Sequence, residues 1–411
     1  MNILTKDIND ISFDDVTQFC EQKVLEGVQL DYKQKTPKDL AKHFATFSNT
    51  QGGLIIIGIG ENSKGLPTTY DGVPNEAKLV DQIHQFAANV TPLPTYSART
   101  TDEQNGNVFV LVHIDEGAAA PYTTLNDPTV WIRTGNISTP ASRDELLRLA
   151  NKRQAAEQAR NTNLEFAQSD YVGFVSEAET ERKNLVKSEK PDVYAHVLGG
   201  EHCATLTIAL QPYFPKDNLV SPQMLFDKQH EYLGNEYSET IFNRVPIVSI
   251  PGGLSAFSWN EKTGNLRNDQ QFANGLCYTA SDVLEHNNVT GLIKMLVVGA
   301  KLYSQLLLVR NYYKVVGYSG LVEGVIKLEG GVGAAVKPIG SVRQPLFMPD
   351  PGKVRRSSYT WELHLDSNIL SDTVSLGEFF GRTMRDISWG LGIYDLPDTI
   401  LKEYLSANGW S

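Results

Sequence analysis

A chain of 411 residues with ordinary hydrophobic (41%), charged (21%) and aromatic (9%) fractions is long enough for two or three domains with cores of their own, and its composition excludes extended disorder. A net charge of −11, with 12 basic against 19 acidic residues up to position 150, excludes a protein that binds nucleic acid with its whole surface. Any polyanion contact must use a local patch, or a cation that neutralises clustered carboxylates.

Asp14 to Leu25 reads as a short helix ending near Gly27. Val28, Leu30 and Tyr32 then alternate with Gln29, Asp31 and Lys33, the two-residue period of a half-buried strand. Thr36-Pro37-Lys38-Asp39 combines a capping-box spacing with proline at the first helical position, and Leu40, Ala41, Phe44, Ala45 and Phe47 follow as a buried stripe. Leu54 to Ile59 is an almost unbroken apolar run, as expected of a central strand covered on both faces. A helix near Leu79 to Asn89 and the break Pro92-Leu93-Pro94 follow. Tyr96 to Arg99 and Val108 to Ile114 read as a hairpin with Asn105-Gly106 in its turn, and Thr129 to Arg133 as a further strand. Ser142-Arg143-Asp144-Glu145 is a second capping box, opening a helix to about Arg160.

These elements predict a mixed α/β first domain over residues 1–160 and a second, α+β domain over 170–411. In the second, Ala204 to Leu210, Leu321 to Leu328 and Tyr359 to Leu365 read as strands, and Ser255 to Leu266 as hairpin-like. Gly291 to Val309, interrupted by Lys294 and Lys301, reads as a long buried helix rather than a membrane span. Gly330 to Gly352 reads as a long loop decorated by Lys337, Arg343, Lys353, Arg355 and Arg356, and helices are expected over Ser375 to Trp389 and Pro397 to Leu405. The tryptophans of this half, Trp259, Trp361, Trp389 and Trp410, read as core or interface residues. Cys20, Cys203 and Cys277 form neither a disulfide framework nor a zinc pair, so a reducing, cytoplasmic compartment is expected. The eight histidines give no HxH or HExxH, and no apolar leader opens the chain.

Glu26 and Asp31 stand five residues apart, which on a regular strand puts them on opposite faces. Gly27 permits a turn that brings both carboxylates to one cleft, while Asp31 and Lys33 share a face in any case. Glu61 lies just past the carboxyl end of the apolar strand, where open α/β sheets place ligands. Three carboxylates converging on one point repel, and Mg²⁺ or Mn²⁺ would both neutralise them and supply what phosphodiester hydrolysis needs. Read without such convergence, Glu26 is a helix-end residue, Asp31 and Lys33 an exposed ion pair, and Glu61 a solvated turn. Lys33, Lys35, Lys38 and Lys42 form a local basic run, either a solvated helix start or a phosphate contact. Gly58-Ile59-Gly60 with Lys64-Gly65 does not meet the GxxxxGK[ST] nucleotide loop and reads as strand exit and turn.

The succession LEGVQLDYK, LAKHFATFSNTQGGLIIIGIGEN, EGAAAPY, WIRTGN and SRDELLRLA resembles the Schlafen AlbA-type domain over about residues 20–150. In the nuclease branch of that family two acids five apart and a third beyond the double-glycine strand form a metal-dependent active site. The resemblance therefore implies Glu26, Asp31 and Glu61 as metal ligands for Mg²⁺ or Mn²⁺, with Lys33 beside the phosphate. It implies Arg133 as a phosphate contact or as a pin on the Glu61 loop. Asp31 stands where the family has Glu, and Glu61 where it has Asp. The implied function is a metal-dependent endonuclease of structured RNA such as tRNA, acting in defence, more on RNA than on DNA, and as a homodimer. The alternatives are a non-catalytic nucleic-acid-binding regulator whose second domain senses a ligand or partner, and a nucleotide-binding protein.

Overall fold

The computed structural model describes residues 3–5, 8–189, 204–215, 218–233, 245–259, 266–287, 290–318, 320–339, 352–366, 369–370, 372–394 and 396. The chain divides into two compact units, one built on Met1–Gln158 with the short segment Val316–Leu321, the other chiefly on Ala159–Val315 and Val322–Leu365.

The first unit is a four-stranded sheet sandwiched between helices. Helix α1 (Phe13–Glu21) starts at a reciprocal capping box in which Asp15 N donates to Ser12 Oγ and Ser12 N donates to Asp15 Oδ2. It ends four residues before Leu25, where Lys23 turns to a positive φ of 52°. Strand β1 (Leu30–Lys33) lies at the sheet edge and pairs in parallel with β2 (Gly53–Ile57). The crossover is helix α2 (Leu40–Asn49). Pro37 does not open this helix as its spacing predicts. Leu40 N donates to Pro37 O in a single tight turn, and the helix begins after Asp39, which makes no side-chain cap.

Strand β2 is covered on both faces, as its apolar run predicts. Leu54 and Ile56 enter a core with Val16, Phe19 and Phe109, while Ile55 and Ile57 enter a second core with Phe44, Phe47 and Ile83. Each such buried side chain contributes about 1.5–3 kcal/mol of transfer free energy. The strand begins in a tight gap: a Cβ on Gly53, at φ 144°, would sit 2.4 Å from Gln29 O, so only glycine fits. Two short strands, β3 (Gly60–Glu61) and β4 (Pro67–Thr69), pair beyond its end, followed by β5 (Val73–Pro74), helix α3 (Leu79–Ala87) and β6 (Val90–Thr91). Strands β7 (Tyr96–Thr100) and β9 (Val110–Ile114) complete the sheet as an antiparallel pair, with β8 (Asn107–Val108) between them. Asn105 and Gly106 both take positive φ in the turn. After β10 (Thr123–Thr124), β11 (Trp131–Thr134) and β12 (Ile137–Pro140) form a separate hairpin.

Helix α4 (Arg143–Glu189) opens at the expected Ser142–Glu145 box, in which Ser142 N donates to Glu145 Oε2 at 2.7 Å. It continues well past Arg160 because no proline interrupts it, and the division between the units falls within it.

The second unit is α+β. Its seven-stranded antiparallel sheet runs, edge to edge, Ile247–Ile250, Gly253–Trp259, Leu266–Phe272, Cys277–Asp282, Ala204–Pro212, Val322–Gly330 and Ser358–Leu365. The predicted long helix is Met295–Val316. Its first residues are instead a strand, Thr290–Lys294, paired antiparallel with Leu284–Asn287, where Gly291 packs against Leu284 too closely for a side chain. The predicted loop after Gly330 holds a short strand, Ala335–Lys337, paired in parallel with Thr290–Lys294. The last described helix is Thr373–Gly390, on which Trp389 is exposed. Residues 397–405, Arg343, Cys203 and Trp410 lie outside the described residues. Among the described residues no helix is long and apolar enough to cross a membrane.

Candidate functional site

The side-chain alternation of β1 sets the site. Leu30 and Tyr32 enter the core against α1, so Asp31 and Lys33 point to the other face, toward α2. Glu26 is not on the strand. The chain turns at Gly27, whose N–H donates to Leu30 O at 3.1 Å, and this turn folds Glu26 back over the open edge of β1. There its Oε1 accepts the Tyr32 N–H at 2.6 Å, a strand-edge donor with no neighbouring strand to take it. The expected reversal of parity at Gly27 is thus a full turn. Glu61 arrives from the other side. Gly58, at φ 112°, lets the chain leave β2 while Gly58 N and Ile59 N both donate to Lys33 O, which places β3 across the carboxyl end of β1.

The three carboxylates converge on one atom, the Lys33 ammonium. Its Nζ lies 2.9 Å from Asp31 Oδ2, and 3.9 Å from both Glu26 Oε1 and Glu61 Oε1. It also donates to Tyr32 O at 2.8 Å. Asp31 is 2% exposed and has two further partners: Arg133 Nη2 donates to its Oδ1 at 2.9 Å, and His43 Nδ1 lies 3.1 Å from its Oδ2. Burial alone would raise the Asp31 carboxyl. Its contact with His43 and the charges of Arg133 and Lys33 override that and hold it well below the ordinary carboxylate range. Glu26 goes the opposite way. Burial, with a hydrogen bond to Glu61, pushes it up to about 8 against the pull of the Tyr32 N–H. Glu26 therefore holds a proton near neutrality, while Asp31 stays ionised.

Arg133 is 4% exposed and fully committed inside the unit. Besides Asp31 it donates to Gly27 O (2.7 Å) and Leu30 O (2.9 Å), and its guanidinium lies 4.8 Å from the Phe47 ring centre. This corrects the expected phosphate contact and the expected pin on the Glu61 loop: the face of β11 opposite Ile132 is not solvent but the β1 turn. Lys42 is turned inward too, its ammonium 3.4 Å from the Trp131 ring centre. Lys35 and Lys38 are exposed, as is Lys64 in the turn between β3 and β4.

The family model "Schlafen, AlbA_2" matches residues 26–142, from the first acid of this cluster to the capping serine of α4. These residues are a Schlafen AlbA_2 domain. The match points to a nucleic-acid-binding domain. Among solved structures, the DIP2311 protein from Corynebacterium diphtheriae is 18% identical, covering 33% of this chain and 27% of that chain, with a TM-score of 0.23. This chain thus matches about a quarter of that protein's length. The N-terminal domain of an ATP-dependent DNA helicase RecG-related protein from Nitrosomonas europaea is 17% identical, covering 32% of this chain and 93% of that chain, with a TM-score of 0.25. No curated protein matches.

Within the AlbA_2 domain the sequence blocks that carry the resemblance clasp one another. Asn49 Nδ2 donates to Tyr122 O (2.8 Å) and to Trp131 O (2.9 Å), and Asn49 Oδ1 accepts Tyr122 N (2.7 Å). Thr50 Oγ1 accepts Arg133 N at 2.9 Å. Asn49 and His43 are the site-building residues that sequence reasoning missed. Histidine four residues after Asp39 was the signal for one, and an asparagine closing the apolar stripe of α2 three residues before a double glycine for the other.

The metal that the resemblance implies does not fit this arrangement. Among the described residues no three Asp, Glu, His or Cys side chains are placed to hold a metal ion. The point on which the acids converge is taken by an ammonium at 2.9–3.9 Å, wider than the roughly 2.0–2.1 Å of a magnesium–oxygen bond. Lys33 and Arg133 offset the repulsion among the carboxylates from within the chain.

Proposed function

We propose that the Schlafen AlbA_2 domain binds nucleic acid without a resident metal, as a non-catalytic module, using the lysines that flank the acidic cluster. The observation that carries this reading is the contrast between two sets of cations. Lys33 and Arg133 are consumed by buried carboxylates, whereas Lys35, Lys38 and Lys64 are exposed and available to phosphate. With so few contacts on a chain of charge −11, binding is modest and strongly salt-dependent. Fluorescence anisotropy with a labelled RNA hairpin and a DNA duplex tests it. Binding should weaken with rising salt, and Lys35→Glu with Lys38→Glu should flatten the slope by about two phosphate contacts. Absence of salt-dependent binding to both probes would overturn the proposal. A reducing cytoplasm belongs to the same reading, supported by the free, buried Cys20 and Cys277. So does pairing of two copies, which sedimentation of the full chain checks.

The convergence of Glu26, Asp31 and Glu61 favours a second reading, a metal-dependent endonuclease of structured RNA. Cleavage that requires Mg²⁺ or Mn²⁺, stops with EDTA and disappears in Asp31→Asn would put that reading first.

A further inference from the structure

We infer that Lys33 is a built-in cation that excludes divalent metal from the acidic cluster, so that one side chain decides whether this domain is metal-free. The inference deepens the metal-free binding reading and rests on it.

Four observations carry it. The Lys33 ammonium stands at the one point within 3.9 Å of all three carboxylates, so no second cation can share that point. It is anchored there by Tyr32 O at 2.8 Å and Asp31 Oδ2 at 2.9 Å, contacts from its own strand that need no other element to form. Two of the oxygens around that point already have partners: Asp31 Oδ1 accepts from Arg133, and Glu26 Oε1 accepts from Tyr32 N–H. The spacing is that of an ammonium. A metal at the Nζ position would need Glu26 and Glu61 to close from 3.9 Å to about 2.1 Å.

Glu26 has little freedom to do so. Its backbone N–H is tied to Gly65 O at 3.0 Å, and a Cβ on Gly65 would lie 3.2 Å from Glu26 Cβ, which shows how closely the β3–β4 turn presses on it. The opening to solvent is on the Glu61 side, where that side chain is 33% exposed against 20% for Lys33. A metal could enter there only by displacing the ammonium. Substituting Lys33 by an uncharged side chain leaves three carboxylates around an empty cation position, with Arg133 at the other oxygen of Asp31 as the remaining fixed charge beside them and His43 against Asp31 Oδ2.

The test is Mn²⁺ binding to the full chain, stripped with chelator and then followed by titration calorimetry and by the electron paramagnetic resonance signal of free Mn²⁺. The wild type should show no site tighter than about 1 mM. Lys33→Met should gain one site at least about tenfold tighter, lost again when Asp31→Asn is added. Circular dichroism checks the fold of each variant. If Lys33→Met unfolds without metal but folds with Mn²⁺, the inference stands; if it unfolds in both, Lys33→Gln takes its place. A wild-type Mn²⁺ site that Asp31→Asn removes would overturn the inference. So would a folded Lys33→Met or Lys33→Gln that binds no Mn²⁺, or failure of both variants to fold with or without Mn²⁺. Metal exclusion without nucleic-acid binding would retain this inference and sink the proposed function; nucleic-acid binding by a protein that takes up Mn²⁺ at Asp31 would do the reverse.

Discussion

Replacing Arg133 by methionine keeps much of its volume and removes its charge, and the structure fixes what is lost. The guanidinium makes three hydrogen bonds, to Gly27 O, Leu30 O and Asp31 Oδ1, and is 4% exposed. Removing one partner of a buried ion pair costs about 3–5 kcal/mol, because the other charge stays buried. Lys33 still holds the second oxygen of Asp31 at 2.9 Å, which argues for the lower end. The two stranded carbonyls add about 1 kcal/mol each unless water reaches them. A loss of about 3–5 kcal/mol is therefore expected, a large share of the roughly 5–15 kcal/mol by which a domain is stable. Hydrogen exchange of the Leu54–Ile57 amides in the full chain, followed against denaturant, reads the stability of the first unit alone. Adding Asp31→Asn should restore about 2 kcal/mol, since the orphaned charge is then gone. A cost below about 1 kcal/mol, or one unchanged in the Asp31→Asn background, would refute the buried-pair reasoning.

Glu26 ties stability to pH in the opposite sense from an ordinary salt-bridged acid. Its carboxyl is raised from 4.5 to about 8 in the fold, so the folded state holds the extra proton between those values. Stability should fall as pH rises through that window and level off above it, and Glu26→Gln should flatten the slope; an unchanged pH profile would contradict the assignment. Asn49→Ala removes three hydrogen bonds and leaves the buried Tyr122 N–H unpaired, for an expected loss of about 2–3 kcal/mol in chemical denaturation. Gly53→Ala should cost at least as much by the same assay, because its Cβ would lie 2.4 Å from Gln29 O at a φ that alanine avoids.

Much of the first unit was legible because its signals are local. The Ser142 box, the Asn105-Gly106 turn and the doubly covered run in β2 each depend on neighbours a few residues away. Thr36-Pro37 misled because proline fits the first position of a tight turn as well as that of a helix. The convergence of the three acids was legible only as a possibility opened by Gly27. What filled the space between them was not, because nothing in spacing says that Lys33 folds back onto the residue two before it. Arg133 was misread for a related reason. Alternation along β11 gives the face of a side chain, and only the tertiary fold says that this face meets the β1 turn.

That meeting spans 102 residues of chain between Asp31 and Arg133. At a synthesis rate of about 5–20 residues per second, an emerging chain waits roughly 5 to 20 s between the making of the buried acid and the making of Arg133. Through that interval the chain of α1, β1, α2 and β2 is already made and Lys33 can pair Asp31 from within β1, yet Asp31 Oδ1 and the carbonyls of Gly27 and Leu30 still lack the guanidinium that closes the edge of the sheet. The hairpin that carries Arg133 is thus the latch of the domain: the first half of the fold stays open at one edge until the second half arrives to lock it.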